Sequence, residues 1–235
     1  MIEDGGEHYF LKSNDAKYIS ETLYPLLAYV LENTNIHWFQ SENFPCMTKV
    51  MLSHFKNVVP YNLRRIMFLG GSYKQFKWLF NRCATDSIAT IELCQPENER
   101  DFPIEEFIRI PSIGDIKTFI INGLKSPTVA TRMADYCIAE NVKIGTQLKL
   151  NTMVPGTFDK FISTFKNRII RMIPDKLVEI GINSEKRIIL NLDRVNNMPG
   201  FGCFELFVLS VVPPVLSKEE FEKYTKFNAG KMDYH

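Results

Sequence analysis

The sequence predicts an α/β fold, an open and curved stack of β-α repeats in which parallel strands carry their helices on one face. Short apolar triplets recur along the chain at a nearly constant step, and segments with helical spacing of apolar residues separate most of them. Hydrophobic residues fill 45% of the 235 positions, which suits a protein with a large core. No single unit of this size can bury its apolar face alone, so neighbouring units must stack.

A complete triplet has apolar residues at its first, fourth and sixth positions, and its second half shows the period of two that is typical of a strand. Two copies depart from this at one position each, where Ser41 and Gly145 stand. A single triplet is not evidence for a repeat, because apolar residues are common in this chain. The first positions of the triplets, however, recur at steps of 25 to 32 residues. The copies are Ile36-Phe39-Ser41, Leu63-Ile66-Phe68, Ile88-Ile91-Leu93, Ile116-Phe119-Ile121, Gly145-Leu148-Leu150, Leu177-Ile180-Ile182 and Phe204-Phe207-Leu209. Seven such copies at an even step predict seven strands.

The segments between triplets show the 3.6-residue period of amphipathic helices, most clearly in residues 72–84, 126–140 and 157–173. Between Ile91 and Ile116 we expect only a short helix. An order of strand, helix, strand, helix predicts parallel strands joined by crossover helices.

We expect one repeat domain over residues 1–235. Its predicted parts are an N-terminal helical cap (1–35), about seven β-α units (36–212), a C-terminal capping helix (213–228) and a loose tail (229–235). Ser217 with Glu220 three residues later forms a capping-box pattern, which predicts the start of the last helix.

The stretch Gly70-Gly71-Ser72 lies where a predicted strand meets a predicted helix, with Lys74 two residues further on. A phosphate-binding loop needs the wider spacing G-x-x-x-x-G-K-[ST], and the dinucleotide pattern G-x-G-x-x-G is absent. We therefore interpret the glycines as the turn out of the strand and Ser72 as the N-cap of the helix. A nucleotide site remains the less favoured alternative, because helix N-termini attract anions.

Recognisable catalytic and metal-binding patterns are missing from the sequence. The five cysteines are far apart without C-x-x-C spacing, and the four histidines lack H-E-x-x-H spacing. We expect no catalytic residues, metal or cofactor, and so a protein that is not an enzyme. Reduced cysteines favour a cytoplasmic or nuclear location. No apolar run approaches the roughly 20 residues of a membrane helix, so no membrane association is expected.

A partner-binding surface is predicted on the strand face that points away from the helices. Side chains at the third and fifth template positions share that face, because side chains alternate along a strand. The predicted partner-binding residues are Trp38, Gln40, Arg65, Met67, Thr90, Glu92, Thr118, Gln147, Lys149 and Glu179. Tryptophan and arginine on such a face are typical anchors for a protein partner. The alternative is that the termini cover this face, or that it is merely solvated.

Two other function classes stay open. Arg64, Arg65, Lys74 and Lys77 form a basic cluster that extends to Arg82 and is interleaved with aromatic residues, a composition found in RNA-binding adaptors. A net charge of +1 argues against general attraction to nucleic acid. A small enzyme with a nonstandard site is the remaining class.

The repeat Leu63-x-x-Ile66-x-Phe68 resembles the L-x-x-L-x-L core of leucine-rich repeats, and its step is similar to that of the long, helix-containing ribonuclease-inhibitor type. The chain departs from the motif's asparagine or cysteine at the ninth position, where Gly71, Pro96, Leu124 and Met153 stand. The irregular repeats and the richness in phenylalanine and isoleucine resemble the substrate-recognition halves of nematode F-box-associated proteins. Members of that family carry an F-box before the repeats, and residues 1–35 contain no clear one.

The resemblance implies a substrate receptor or adaptor in ubiquitin-dependent protein turnover. Together with the predicted strand face, it favours a non-enzymatic protein-binding module whose partner is another protein, with nucleic acid as the less favoured partner. The identity of the partner and the oligomeric state leave no mark in the sequence.

Overall fold

The computed structural model describes residues 2–4, 7–9, 15–41, 49–55, 60–85, 87–95, 103–110, 113, 118–198 and 202–226. The chain forms two compact units, the first from Met1–Pro96 with Glu106–Ile116 and the second from Glu97–Glu105 with Lys117–His235. Both combine helices with an open sheet, so the α/β prediction is confirmed. Within the described ranges, no helix has both the length and the hydropathy needed to cross a membrane.

The first unit contains five strands in the order β2-β1-β3-β4-β5 among its described residues. Strands β3, β4 and β5 pair in parallel, as the triplets predict, whereas β1 pairs antiparallel with both β2 and β3. The elements of this part of the chain are β1 (Ile2–Asp4), β2 (Glu7–Tyr9), α1 (Ala16–Tyr18), a π-helical segment (Ile19–Leu23), α2 (Tyr24–Asn33), β3 (Asn35–Ser41), α3 (Lys49–His54), β4 (Asn62–Phe68), α4 (Tyr73–Phe80), β5 (Thr90–Cys94) and α5 (Ile104–Ile108).

The second unit contains six strands in the order β6-β7-β11-β10-β9-β8, again among the residues described. Only β6 and β7 pair in parallel; the other neighbours are antiparallel. Its elements are β6 (Thr118–Leu124), α6 (Val129–Ala139), β7 (Gln147–Thr152), α7 (Thr157–Phe165), a 3-10 turn (Lys166–Arg168), β8 (Ile169–Ile173), β9 (Leu177–Gly181), β10 (Arg187–Met198), β11 (Gly202–Val212) and α8 (Lys218–Thr225).

The prediction of β-α units is wrong for the last two of the seven triplets. Their triplets begin at Leu177 on β9 and Phe204 on β11, but β10 lies between these strands in the chain and pairs antiparallel with both of them. The connection from Gly181 to Arg187 is too short for a crossover helix, so the chain reverses and the strands pair antiparallel. Ile182, the third apolar residue of its triplet, lies just beyond β9.

The N-terminal part, residues 1–35, is predicted to be a helical cap, but the structure also places strands β1 and β2 there, with β1 paired to β3. Helix α8 lies inside the expected C-terminal cap, and α1 and α2 lie inside the expected N-terminal one. The expected loose tail, 229–235, lies outside the described residues, as does Ile116 at the head of the fourth triplet.

The apolar residues of the triplets line up as predicted within each unit. In the first unit Phe68 pairs with Leu93, and both side chains are fully buried. In the second unit Ile121 pairs with Leu150 and Leu150 with Phe207, so three strands contribute to one apolar row. In the first unit this alignment places the apolar row on one face of the sheet and leaves alternate side chains for the other face. In the second unit the other face is also apolar in part, because Ile189 belongs to a buried cluster that packs against Phe221 and Tyr224 of α8.

The Gly70-Gly71-Ser72 stretch is a strand-to-helix corner. Gly71 has a φ of +114°, and a Cβ built there would lie 3.0 Å from Phe76, so glycine is needed. Ser72 caps α4 through a capping box, in which the Gln75 amide donates to Ser72 Oγ and the Ser72 amide donates to Gln75 Oε1 at 2.6 Å. Both donors at this helix start are thus satisfied within the chain, as the N-cap prediction requires.

Replacing Ser72 by alanine should lower the free energy of unfolding by about 1 kcal/mol, because the Gln75 backbone amide loses its side-chain acceptor and keeps only the Ser72 carbonyl. Chemical denaturation followed by circular dichroism would measure this change. Ser72→Asp is the matched control, since aspartate can still accept that bond. If Ser72→Ala and Ser72→Asp are equally destabilised, the side-chain cap is not what stabilises the start of α4.

Candidate functional site

The ten predicted partner-binding residues lie on common strand faces within each unit. In the first unit Trp38, Arg65 and Thr90 are direct neighbours across β3, β4 and β5, and the next row contains Gln40, Met67 and Glu92. We call these six residues the Trp38 face.

In the second unit Thr118 pairs with Gln147, and Gln147 pairs with Ser210. The same row continues through Ile189 on β10 to Glu179 on β9. A second row joins Lys149, Val208 and Asn191. We call the surface formed by these two rows the Lys149 face. The sequence therefore predicted correctly which side chains share a face.

The Trp38 face is built around a contact between its largest aromatic side chain and its cation. The guanidinium carbon of Arg65 lies 5.4 Å from the ring centroid of Trp38 on the adjacent strand, a cation–π geometry. Both residues are half-buried. Among the described residues, neither Trp38 Nε1 nor Arg65 Nε, both buried, has a hydrogen-bond partner, and Arg65 forms no ion pair.

Desolvated donors without an acceptor cost free energy, and a charged donor costs more than a neutral one. The Arg65–Trp38 pair therefore combines a fixed cation with unmet hydrogen-bonding capacity. A partner that places a hydrogen-bond acceptor, and above all a negative charge, against this face would be bound more tightly for both reasons.

Four of the predicted partner-binding residues are buried, so the expectation of exposure is wrong for them. Met67 is 5% exposed, Glu92 1%, Lys149 7% and Glu179 8%. Burial of a charge requires partners. Glu179 Oε1 accepts from Arg187 at 2.6 Å, and Glu92 and Lys149 each make polar or electrostatic contacts of their own. Trp38, Gln40, Arg65, Thr90, Thr118 and Gln147 remain half-buried.

Helix α8 covers part of the Lys149 face. Ser210 Oγ donates to the Tyr224 carbonyl at 2.7 Å, Asn191 Nδ2 to the Thr225 carbonyl at 2.9 Å, and Gln147 Nε2 to the Lys223 carbonyl at 3.3 Å. Carbonyls in the last turn of a helix have no partner within the helix. Side chains of three strands supply those donors, so the C-terminal helix occupies the very surface that was predicted to be free, and the alternative of a face covered by the termini is confirmed here.

The basic cluster of the sequence does not form one surface of cations and accessible rings. Phe76 and Phe80 are fully buried and pack in the core. Arg82 lies over the Trp78 ring at 4.3 Å, and Lys77 forms an exposed ion pair with Glu106 at 2.9 Å. Rings that are buried cannot stack on nucleotide bases, so this geometry lends the RNA-binding alternative little support.

The described residues contain no cluster of three or more histidine, cysteine or acidic side chains able to hold a metal ion. The strongest pKa shifts belong to buried groups: burial raises the pKa of Tyr61, Cys83 and Cys137 to about 12. Arg82 opposes that shift at Tyr61. Groups with a pKa this high are protonated at neutral pH, so none of the three is an activated nucleophile.

Sequence reasoning placed Arg171 on the helix predicted over residues 157–173, but that helix ends at Phe165 and Arg171 lies on a strand; Arg187 was not singled out at all. Both are on strands, β8 and β10, that the triplet pattern did not reveal. The apolar run Ile188–Leu190, followed by alternation as far as Asp193, is the signal that could have identified β10.

Comparison with known proteins identifies no relative of this chain. No family model matches it, and no curated protein or solved structure shows significant similarity to it. What the protein does must therefore be inferred from the geometry of its own residues.

Proposed function

We propose that this protein is a non-enzymatic protein-binding module that recognises its partner through the Trp38 face. The observation that carries the proposal is the Arg65 guanidinium, half-buried on the Trp38 ring without an ion pair in the described part of the chain. Tryptophan and arginine are the residue types most enriched among those that dominate binding energy. An acidic or carbonyl group of the partner would satisfy the cation and complete the site.

The remaining residues of the Trp38 face fit the anatomy of an interface. Gln40 and Thr90 are half-buried polar side chains next to the pair, and Met67 is buried beside them. Interfaces generally surround a well-packed aromatic or arginine anchor with polar contacts that exclude water.

The finer architecture belongs to the same proposal. Strands β3, β4 and β5 are parallel, in register, and their triplets begin at residues 36, 63 and 88. This arrangement supports a short leucine-rich-repeat-like stack in the first unit, with the Trp38 face as its binding surface. A role as substrate receptor or adaptor in ubiquitin-dependent turnover, in the cytoplasm or nucleus, is the more specific form of the proposal and rests on the resemblance alone.

A double substitution, Trp38→Ala with Arg65→Glu, tests the surface. We expect it to weaken binding to the partner by about 30-fold or more, because losing an anchor residue costs about 2 kcal/mol or more. Full-length protein would be used as bait in extracts with and without ribonuclease. Proteins enriched by quantitative mass spectrometry would then be purified and their dissociation constants measured for each variant.

Tyr29→Ala with Arg64→Glu is the matched control, because it removes an aromatic ring that is 63% exposed and reverses the charge of an exposed arginine next to Arg65. This control should bind as the wild type does. Equal partner sets for the wild type and the Trp38/Arg65 variant would contradict the proposal. Loss of the enriched proteins after ribonuclease treatment, with a steep loss of binding between low and physiological salt, would favour the RNA-binding alternative instead.

A further inference from the structure

A cavity of about 450 Å³ lies in the second unit between strands β8 to β10 and the segment that leads into α8. Its volume falls within the range of about 300–1,000 Å³ that ligand sites usually have. Its lining consists of Arg171, Glu179, Arg187, Ile189, Pro213, Pro214, Val215, Leu216, Ser217, Lys218 and Phe221. The cavity borders the helix α8 that covers part of the Lys149 face.

The lining carries three cations and one carboxylate. Glu179 Oε1 lies 2.6 Å from Arg187 Nη1, so one positive charge is compensated. Arg171 and Lys218 form no ion pair within the described ranges. The lining therefore has an excess of two positive charges, which favours an anionic occupant and disfavours a metal cation.

Two of the three cations, Arg187 and Arg171, have contacts within the chain, whereas Lys218 is exposed. Arg187 is fixed by Glu179, whose side chain is 11% exposed, and the Arg171 guanidinium carbon lies 5.9 Å from the centre of the Phe221 ring. Pre-positioned side chains lose less conformational entropy on binding than free ones do.

The acidic residues of α8, Glu219, Glu220 and Glu222, lie outside the lining of the cavity. The Glu220 carboxylate turns back to accept from the Ser217 amide at 2.9 Å, within the capping box that starts the helix. Glu222 pairs with Lys226, also at 2.9 Å, one turn along the helix. Of the side chains that line the cavity, only Glu179 is acidic.

The segment before α8 adds an apolar wall. Pro213, Pro214, Val215 and Leu216 line the cavity, and Val215 is 83% exposed. A ligand that combines carboxylates with apolar groups would match both walls, and an acidic peptide with an aromatic or aliphatic residue has this chemistry.

We propose that this cavity binds a short acidic segment of the protein partner, with Arg171 and Lys218 as the residues that contact its carboxylates. The inference rests on the proposed protein-binding function and names a second contact point, on the other unit. It is argued from charge complementarity and from the two different walls of the cavity.

The test uses full-length protein and a fluorescein-labelled peptide with four glutamates around one phenylalanine. A second peptide with glutamine in place of each glutamate is compared, and binding is followed by fluorescence anisotropy. We expect the acidic peptide to bind about tenfold more tightly than the glutamine peptide, since rim and pocket charges set specificity. Arg171→Gln with Lys218→Gln should weaken the acidic peptide by about tenfold or more.

Lys160→Gln with Lys166→Gln is the matched control, because it removes two exposed lysines of the same unit that do not line the cavity. Three outcomes would overturn the inference. Both double variants could lose affinity for the acidic peptide equally, or the wild type could bind both peptides equally. A single-stranded RNA oligonucleotide could also displace the labelled acidic peptide at a lower concentration than the unlabelled acidic peptide does. Thermal unfolding of each variant shows that it is folded.

The Trp38→Ala with Arg65→Glu variant should bind the acidic peptide as the wild type does. If the acidic peptide does not bind as expected but the Trp38/Arg65 variant loses its protein partner, the cavity inference is wrong and the proposed function stands. If the peptide result holds while that variant keeps its partner, the Trp38 face is the wrong surface and the cavity inference stands.

Discussion

Replacing Phe68 by alanine is expected to lower the free energy of unfolding by about 3–5 kcal/mol, the usual cost of deleting a buried phenylalanine ring. Phe68 is 0% exposed and lies at the centre of the first unit's aromatic core. Its ring stacks on Phe76 with centroids 4.6 Å apart and meets Phe39 and Phe80 edge-on, at 6.1 Å in each case. One substitution thus removes these ring contacts and leaves a cavity among residues of β3, β4 and α4.

Guanidinium denaturation followed by circular dichroism gives the required comparison, provided that the slope of the transition is unchanged. Tyr29→Ala is the control, because that ring is 63% exposed and its loss should change stability by less than about 0.5 kcal/mol. A Phe68→Ala protein as stable as the Tyr29→Ala protein would mean that the triplet residues do not form the core.

The strand faces could be predicted from the sequence because the spacing of apolar residues within one strand decides which side chains share a face. Phe39, Ile66 and Ile91 are neighbours across three strands, as their shared template position requires. The direction of pairing is not decided within one strand. At Leu177 and Phe204 the same period continues, but the short links around β10 reverse the chain, so the last strands form an antiparallel meander.

Exposure of the candidate surface was harder to predict for a related reason. Whether Lys149 or Glu179 faces solvent depends on what packs over it, and a strand pattern does not contain that information. Ser217 and Glu220 predicted where α8 starts, yet only the bonds from Gln147, Ser210 and Asn191 to its last carbonyls show which surface the helix covers. Those donors are polar residues in a strand, which sequence reasoning assigns to a solvated face.

The covered Lys149 face and the half-buried Trp38 face differ in one physical respect. On the Lys149 face, buried polar groups meet partners from within the chain, such as the Asn191 amide on the Thr225 carbonyl. On the Trp38 face, the Arg65 guanidinium meets a ring but no acceptor in the described residues. This difference supports placing the external partner on the Trp38 face. It also supports placing the acidic segment in the cavity beside α8 and not on the surface that α8 covers.

Cys83 and Cys137 should react with iodoacetamide at pH 8 about 1,000-fold more slowly than an unhindered thiol. Burial raises the pKa of both thiols from 9.0 to about 12, and only the thiolate is the nucleophile. A pKa higher by three units lowers the thiolate fraction about 1,000-fold at this pH. Cys83 Sγ also donates to the Leu79 carbonyl at 3.4 Å, which favours the protonated form. Peptide-resolved mass spectrometry of alkylated full-length protein would measure both rates.

The same pKa shifts fix the sign of the alkaline response. Because the folded pKa exceeds the unfolded one, the stabilising contribution of each thiol is complete below about pH 9 and is lost as the pH rises toward about 12. The denaturant concentration at the unfolding midpoint should therefore fall as the pH rises from about 9 to about 12. The fall should be smaller in a Cys83→Ala variant when each protein is compared with its own midpoint at pH 8. Rapid alkylation of Cys83 and Cys137 in the native state, at the rate seen in guanidinium, would show that neither thiol is buried in solution.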